Sequence, residues 1–260
     1  MAGQIQEQSQ QDTAPEIVLR FPGPWMSEME LGQAIENSGT GYFLDVSEAD
    51  EKTWLLHEAS GRRYRLRAAP LDDEIAELFA EAPRVPRKDV EEIRNHKVKI
   101  FISGAGGSLD AAREFLAIGA AMVKSGALGV MVDNSGNCHS RQDWLDLAGD
   151  EELGGMYWAF VSVAAAREEV FSAGMHCLGF RDAEMPDPVD RKTGGMMMHE
   201  FLGYTYRSGV TVVDGDPIGG PEKPEFILHH APCTRFSPET AFYNPYGVWR
   251  MEKLVGDRSE

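Results

Sequence analysis

Val98-Lys99-Ile100-Phe101-Ile102-Ser103 leads into Gly104-Ala105-Gly106-Gly107-Ser108, then Leu109 to Ser125, then Gly129-Val130-Met131-Val132-Asp133. This stretch decides the fold. The first run is rich in β-branched and aromatic residues, as a strand requires. The middle segment carries Leu109, Ala112, Leu116, Ala120 and Val123 on one side and Ile118 and Met122 on others. A helix apolar nearly all round is a buried one. Ser108 suits its N-cap and Gly126 its stop. Gly129 to Asp133 is the next strand.

Working outward, the same alternation continues. Ile17 to Phe21 reads as a strand, ended by a Pro22-Gly23-Pro24-Trp25 corner. Ser27 and Glu30 form a capping box for a helix that stops near Asn37 to Gly39. Tyr42 to Val46 is a strand. Thr53 to Glu58 and Arg62 to Ala68 make a hairpin turning at Ala59-Ser60-Gly61. Helices are expected from Leu71 to Glu81, from Lys88 to Asn95 and from Ser140 to Gly149. Tyr157 to Val163 reads as a strongly apolar strand. Asp187-Pro188 opens a helix running to Arg207 and stopping at Gly209. Val210 to Val213, Phe226 to His229 and Tyr246 to Leu254 complete the strands. The fold class is α+β, with mixed or antiparallel sheets, ferredoxin-like β-α-β layers and packed helices. Residues 1–14 read as a disordered tail, 15–84 as an N-terminal α+β subdomain and 85–260 as a C-terminal α+β domain. The boundary is set by the prolines and charge reversal in Ala82-Pro83-Arg84-Val85-Pro86-Arg87.

The chain carries 42 Asp and Glu against 25 Lys and Arg, a net charge of −17, yet five Trp and 12 Phe supply a core. Such acidity works against nucleic acid and anionic membranes and favours a basic partner. The acids recur in groups: Asp45, Glu48, Asp50 and Glu51; Asp72 to Glu81; Asp143, Asp146, Asp150, Glu151 and Glu152; and Asp182 to Asp190. Asp143, Asp146, Asp150, Glu151, Glu152, Asp182 and Glu184 are the expected partner-binding residues. No run reaches the roughly 18–20 apolar residues of a membrane span. The N-terminus lacks a signal peptide's basic start and apolar run, and three cysteines make no disulfide framework, so a cytoplasmic location is expected.

Each motif with chemistry fails on a specific residue. The Gly104–Ser108 turn has Leu109 where the dinucleotide fingerprint needs its third glycine, and no Lys for a phosphate loop. Cys138-His139, His176-Cys177, His229-His230 and Cys233 lack metal-site spacing, and strand neighbours point to opposite faces. No Gly-x-Ser-x-Gly elbow is present. Asp214-Gly215-Asp216 begins like a calcium loop but continues Pro217-Ile218-Gly219, so it is a turn. Met197, Phe201 and Tyr204 share a helical face and are expected to fill a core. The basic island Arg62-Arg63-Tyr64-Arg65-Leu66-Arg67 is expected to pair with Asp72, Asp73 and Glu74. No cofactor and no metal are expected.

Phe21-Pro22-Gly23-Pro24-Trp25, Gly129 to Gly136, Ser172 to Met185 and Asn244-Pro245-Tyr246-Gly247-Val248-Trp249-Arg250 form a recurring set of segments. Over residues 20–252 the pattern resembles the bacterial family catalogued as domain of unknown function 4261 and its relatives. The resemblance brings no catalytic residues. It implies an immunity protein acting beside a secreted bacterial toxin. A non-catalytic immunity protein, occluding a basic toxin with an acidic surface, is therefore the leading expectation. A hydrolase acting around His139, His176 and Asp182 is the alternative. An oligomeric structural or regulatory module is a third reading.

Overall fold

The computed structural model describes residues 14–47, 52–150, 154–166, 169–186, 188, 190–220 and 223–254. The opening stretch forms as expected. β5 (Val98–Ala105) runs into α4 (Leu109–Lys124), which returns to β6 (Gly129–Val132). Ser108 caps α4 by accepting the Ala111 N–H at 3.1 Å. Between β5 and β6 lies β1 (Glu16–Gly23), antiparallel to both. This is a split β-α-β unit, the ferredoxin-like layer expected from the sequence.

Around it grows a seven-stranded antiparallel sheet in the order β2-β3-β4-β5-β1-β6-β7. Its further strands are β2 (Tyr42–Ser47), β3 (Lys52–His57), β4 (Arg63–Pro70) and β7 (Asn137–Ser140). Strand alternation sets its two faces. Ile17, Leu19, Phe21, Leu55, Tyr64, Leu66, Ile100 and Ile102 point inward and are buried. Against them pack α4 and α1 (Glu28–Asn37), the latter capped by Ser27. On the other face, α2 (Glu74–Glu81) and α3 (Arg87–Arg94) cover one end through Phe79, Ile93, Met131 and Cys138. On the rest of that face Arg63, Arg65 and Arg67 are exposed.

The second sheet has six strands in the order β11-β12-β13-β10-β9-β8. They are β8 (Ser162–Ala166), β9 (Glu169–Ala173), β10 (Asp182–Met185), β11 (Pro217–Gly220), β12 (Lys223–Ala231) and β13 (Val248–Lys253). Only β10 and β13 pair in parallel. The helix α7 (Arg191–Ser208) packs on it. Between the sheets lie α5 (Arg141–Gly149), α6 (Gly154–Phe160) and a 3-10 turn, Met175–Leu178.

Four expectations are corrected. The seven-stranded sheet crosses the boundary placed at residues 84 and 85, because β4 and β1 both pair with β5. The proline-rich segment is the tight turn between α2 and α3. Tyr157 to Phe160 is helical, with β8 starting only at Ser162. A short, fully apolar run carries no period to tell helix from strand. The α7 cap is Asp190, which accepts the Lys192 and Thr193 N–H groups, rather than Asp187, which lies outside the described residues. Val210 to Val213 forms no strand and leads into the Asp214–Asp216 turn. The tail expected over residues 1–14 lies outside the described residues except for Ala14.

Close packing explains two glycines. A Cβ at Gly119 of α4 would lie 2.3 Å from the Trp144 indole. That ring is fully buried and donates its Nε1 hydrogen to the Leu116 carbonyl at 3.1 Å. A Cβ at Gly23 would fall inside the Trp25 ring, whose Nε1 donates to Ser125 O.

Candidate functional site

The Gly-rich turn before α4 is closed by its own fold. Gly106 N–H donates to Pro15 O at 2.7 Å and Gly107 N–H to Cys177 O at 3.2 Å. A Cβ on Gly107, at φ +81°, would meet the Tyr246 hydroxyl at 2.5 Å. Amides that could cradle a phosphate are thus bonded to carbonyls, and the turn is a joint between the sheets.

Two imidazole–carboxylate pairs stand apart. In the first, the ring of His139 at the end of β7 sits between Asp143 and the carbonyl of Ala159. Its Nδ1 lies 2.6 Å from Asp143 Oδ2 and its Nε2 3.1 Å from Ala159 O. Both neighbours present oxygen atoms to the two ring nitrogens. The hydrogen bond from His139 holds the Asp143 carboxyl below the usual range, against the opposing effect of its partial burial. Asp143 is also the residue whose N–H is capped by Ser140.

The second pair lies at the junction of the two sheets. Asp182 Oδ1 accepts from Ser172 Oγ at 2.9 Å and Met175 N at 3.2 Å, while Oδ2 accepts from Asn244 Nδ2 at 2.7 Å. His176 Nδ1 stands 3.7 Å from Asp182 Oδ2 and has no hydrogen-bond partner. His176 Nε2 lies 3.0 Å from Asn134 Nδ2 and 3.1 Å from Ala241 O. Asn134 accepts the Val18 N–H and donates to Glu16 O and Ala241 O, so it ties β1 to the 241 loop and to His176. Asp182, His176, Asn134, Ser172 and Asn244 are all buried.

The hydrolase alternative requires His139, His176 and Asp182 in one pocket. No hydrogen bond joins His139 to either of the others, and His176 and Asp182 are sealed from solvent. The three side chains therefore do not meet in one open pocket. The cysteines fare likewise as nucleophiles. Burial pushes the Cys138 thiol up to about 12 and the Cys177 thiol well above its ordinary value. Cys233 is half-buried, and His229 and His230 lie on β12. Among the described residues no group of three His, Cys, Asp or Glu could hold a metal.

The expected acidic surface is also redistributed. Asp182 is a core residue and Asp143 is engaged with His139. Glu184 lies 3.4 Å from Arg235 Nε and is mostly covered. Asp146 on α5 and Asp150 at its C-terminal cap remain exposed, and Asp146 accepts from Gln142. Glu151 and Glu152 lie outside the described residues. The basic island does not meet its expected partners. Arg62 pairs with Glu114, Arg63 with Asp45 at 2.7 Å, and Asp72 is taken by Lys99.

Three of the larger clefts among the described residues bear on function. One of about 780 Å³ lies between α4 and β3–β4, but its Arg62 and Arg113 are neutralised by Glu114 and Asp110. One of about 370 Å³ holds Trp158, His199 and Arg84 beside His139. The third, about 660 Å³, is a groove between α7 and β11, lined by Met197, Phe201, Tyr204, Val210, Val212 and Ile218, with Glu200 and Asp216 among them. The Met197–Phe201–Tyr204 face expected in a core thus floors a groove: Phe201 is buried but Tyr204 is 56 % exposed. Periodicity alone could not tell these, because core and groove ask for the same apolar stripe.

Comparison with protein-family models, with curated proteins and with solved structures finds no match. Among the described residues, no helix is long and apolar enough to cross a membrane.

Proposed function

We propose that this chain is a non-catalytic cytoplasmic binding protein that neutralises a basic secreted bacterial toxin by occlusion. The observation that carries this reading is the groove between α7 and β11. It combines apolar anchoring positions with two carboxylates on a chain of charge −17. An apolar side chain of the partner seats over Phe201 and Tyr204, and flanking Lys or Arg face Glu200 and Asp216. Aromatic contacts supply most of such an affinity, while long-range charge raises the association rate. Val210, 46 % exposed, lies on the rim of the groove. Commitment of His139, His176, Cys138 and Cys177 to interior bonds or burial also favours binding over chemistry. The toxin class is our extension of the resemblance described above, to which no family-model match adds support.

Co-purification with the product of the adjacent gene, at rising salt, tests the reading. A complex that forms at low ionic strength and weakens with salt supports it. No complex at low ionic strength refutes it. A complex equally tight after Tyr204→Ala and Glu200→Lys places the contact outside the groove.

A further inference from the structure

On this acidic molecule, one surface concentrates positive charge. β4 alternates Arg63, Arg65 and Arg67 outward with Tyr64 and Leu66 buried. Because successive outward positions on a strand lie about 6.6 Å apart, the guanidinium groups form a row on the outer sheet face. In register beside them, Ser103 of β5 is opposite Arg65 and Phe101 is opposite Arg67. Most cations of this face are neutralised. Arg63 meets Asp45, Lys99 meets Asp72, and Arg20 meets Asp133 at 3.0 Å. Arg65 and Arg67 have no carboxylate within ion-pair reach among the described residues. They line one hollow of about 190 Å³, with Ser103, Phe101, Val18 and Glu16.

We propose that this hollow binds a small oxyanion, a phosphate monoester, between Arg65, Arg67 and the Ser103 hydroxyl. Arg67 is pre-ordered for the task, its Cζ 4.1 Å from the centroid of the Phe101 ring. Stacking uses the flat face of a guanidinium and leaves its N–H edge free for bidentate bonds to an oxyanion. The volume suits one tetrahedral group rather than a polymer, and the surrounding negative charge disfavours a polyanion. Glu16 limits affinity by facing the same ligand and has no ion-pair partner among the described residues. This site is separate from the groove and does not depend on the toxin reading.

The test is calorimetric titration with inorganic phosphate and with phenyl phosphate, in phosphate-free buffer at constant ionic strength, with potassium chloride as control. Saturable binding is expected for the wild type. Arg65→Gln, and separately Arg67→Gln, should weaken it about tenfold or more, as loss of a charge-assisted pair does. Glu16→Gln should tighten it about three- to fivefold by removing repulsion. Binding of inorganic phosphate but not phenyl phosphate keeps the oxyanion site and assigns it to the free ion. No saturable binding by the wild type, equal binding by both arginine variants, or weakening by Glu16→Gln overturns the proposal. Thermal melting of each variant confirms that the fold is intact.

Discussion

Two regions set acidic or hydroxyl oxygens against nitrogen, and they are built in opposite ways. At the junction of the sheets, Asp182 is met by Ser172, Met175 N and Asn244, with His176 beyond, and water is excluded. On the outer face of the seven-stranded sheet, Arg65 and Arg67 stand beside Ser103 and Phe101 with no carboxylate in ion-pair reach among the described residues. The buried region contains the residue types associated with catalysis, yet apart from His176 Nδ1 its polar atoms bond to β1, β9, β10 and the 244 loop. In the exposed region Arg65 and Arg67 form no ion pair among the described residues, although Arg67 lies near enough to Asp133 to favour its charged form.

That difference is open to attack. The largest expected effect is at the junction. Asp182→Ala leaves Ser172, Asn244 and the Met175 amide without their acceptor, which should cost about 3–5 kcal/mol in urea unfolding. A loss under about 1 kcal/mol would show that the junction does not hold the sheets together. Asp143→Asn comes next, at about 1.5–3 kcal/mol at neutral pH, the range for hydrogen bonds to charged groups. Its sign with pH follows from the lowered Asp143 value: the stabilisation is present above the unfolded carboxyl value of about 3.9 and is lost as pH falls through the folded one. Wild type and variant should therefore converge in acid, and a gap that persists or widens there would contradict the pairing with His139. Smallest on stability are Arg65→Gln and Tyr204→Ala, each expected within about 0.5 kcal/mol of wild type, because exposed side chains away from caps and cores rarely do more. Chemical denaturation distinguishes these cases, and a large loss at Arg65 would turn the outer face into a structural one.

Much of the frame was legible in the sequence. Ser27, Ser108 and Ser140 announce three helices because a cap requires a short oxygen side chain at one position, and all three cap as expected. Gly209, at φ +63°, ends α7 for the same local reason. What escaped depends on distance in the chain. β9 and β10 are short strands whose apolar pattern is broken by Ser172 and Asp182, which look like surface residues until Asn244 arrives from 62 residues away. Asp182 was therefore placed in a binding face that it does not join. The reverse error concerns Arg65 and Arg67. Nearness to Asp72–Glu74 suggested neutralisation, but the strand carries them past those carboxylates, and Lys99 takes Asp72 instead. Tyr204 illustrates a third limit, since a stripe shared with Met197 and Phe201 does not reveal whether another element covers it.

The most direct measurement is a calorimetric titration of the purified chain with the adjacent gene's product at two ionic strengths, repeated with the Tyr204→Ala, Glu200→Lys double variant. The account predicts saturable binding that weakens as salt rises, and a loss of at least about tenfold in the double variant with unchanged thermal stability. Undetectable binding by the wild type at the lower ionic strength, or equal affinity in wild type and double variant, would contradict it.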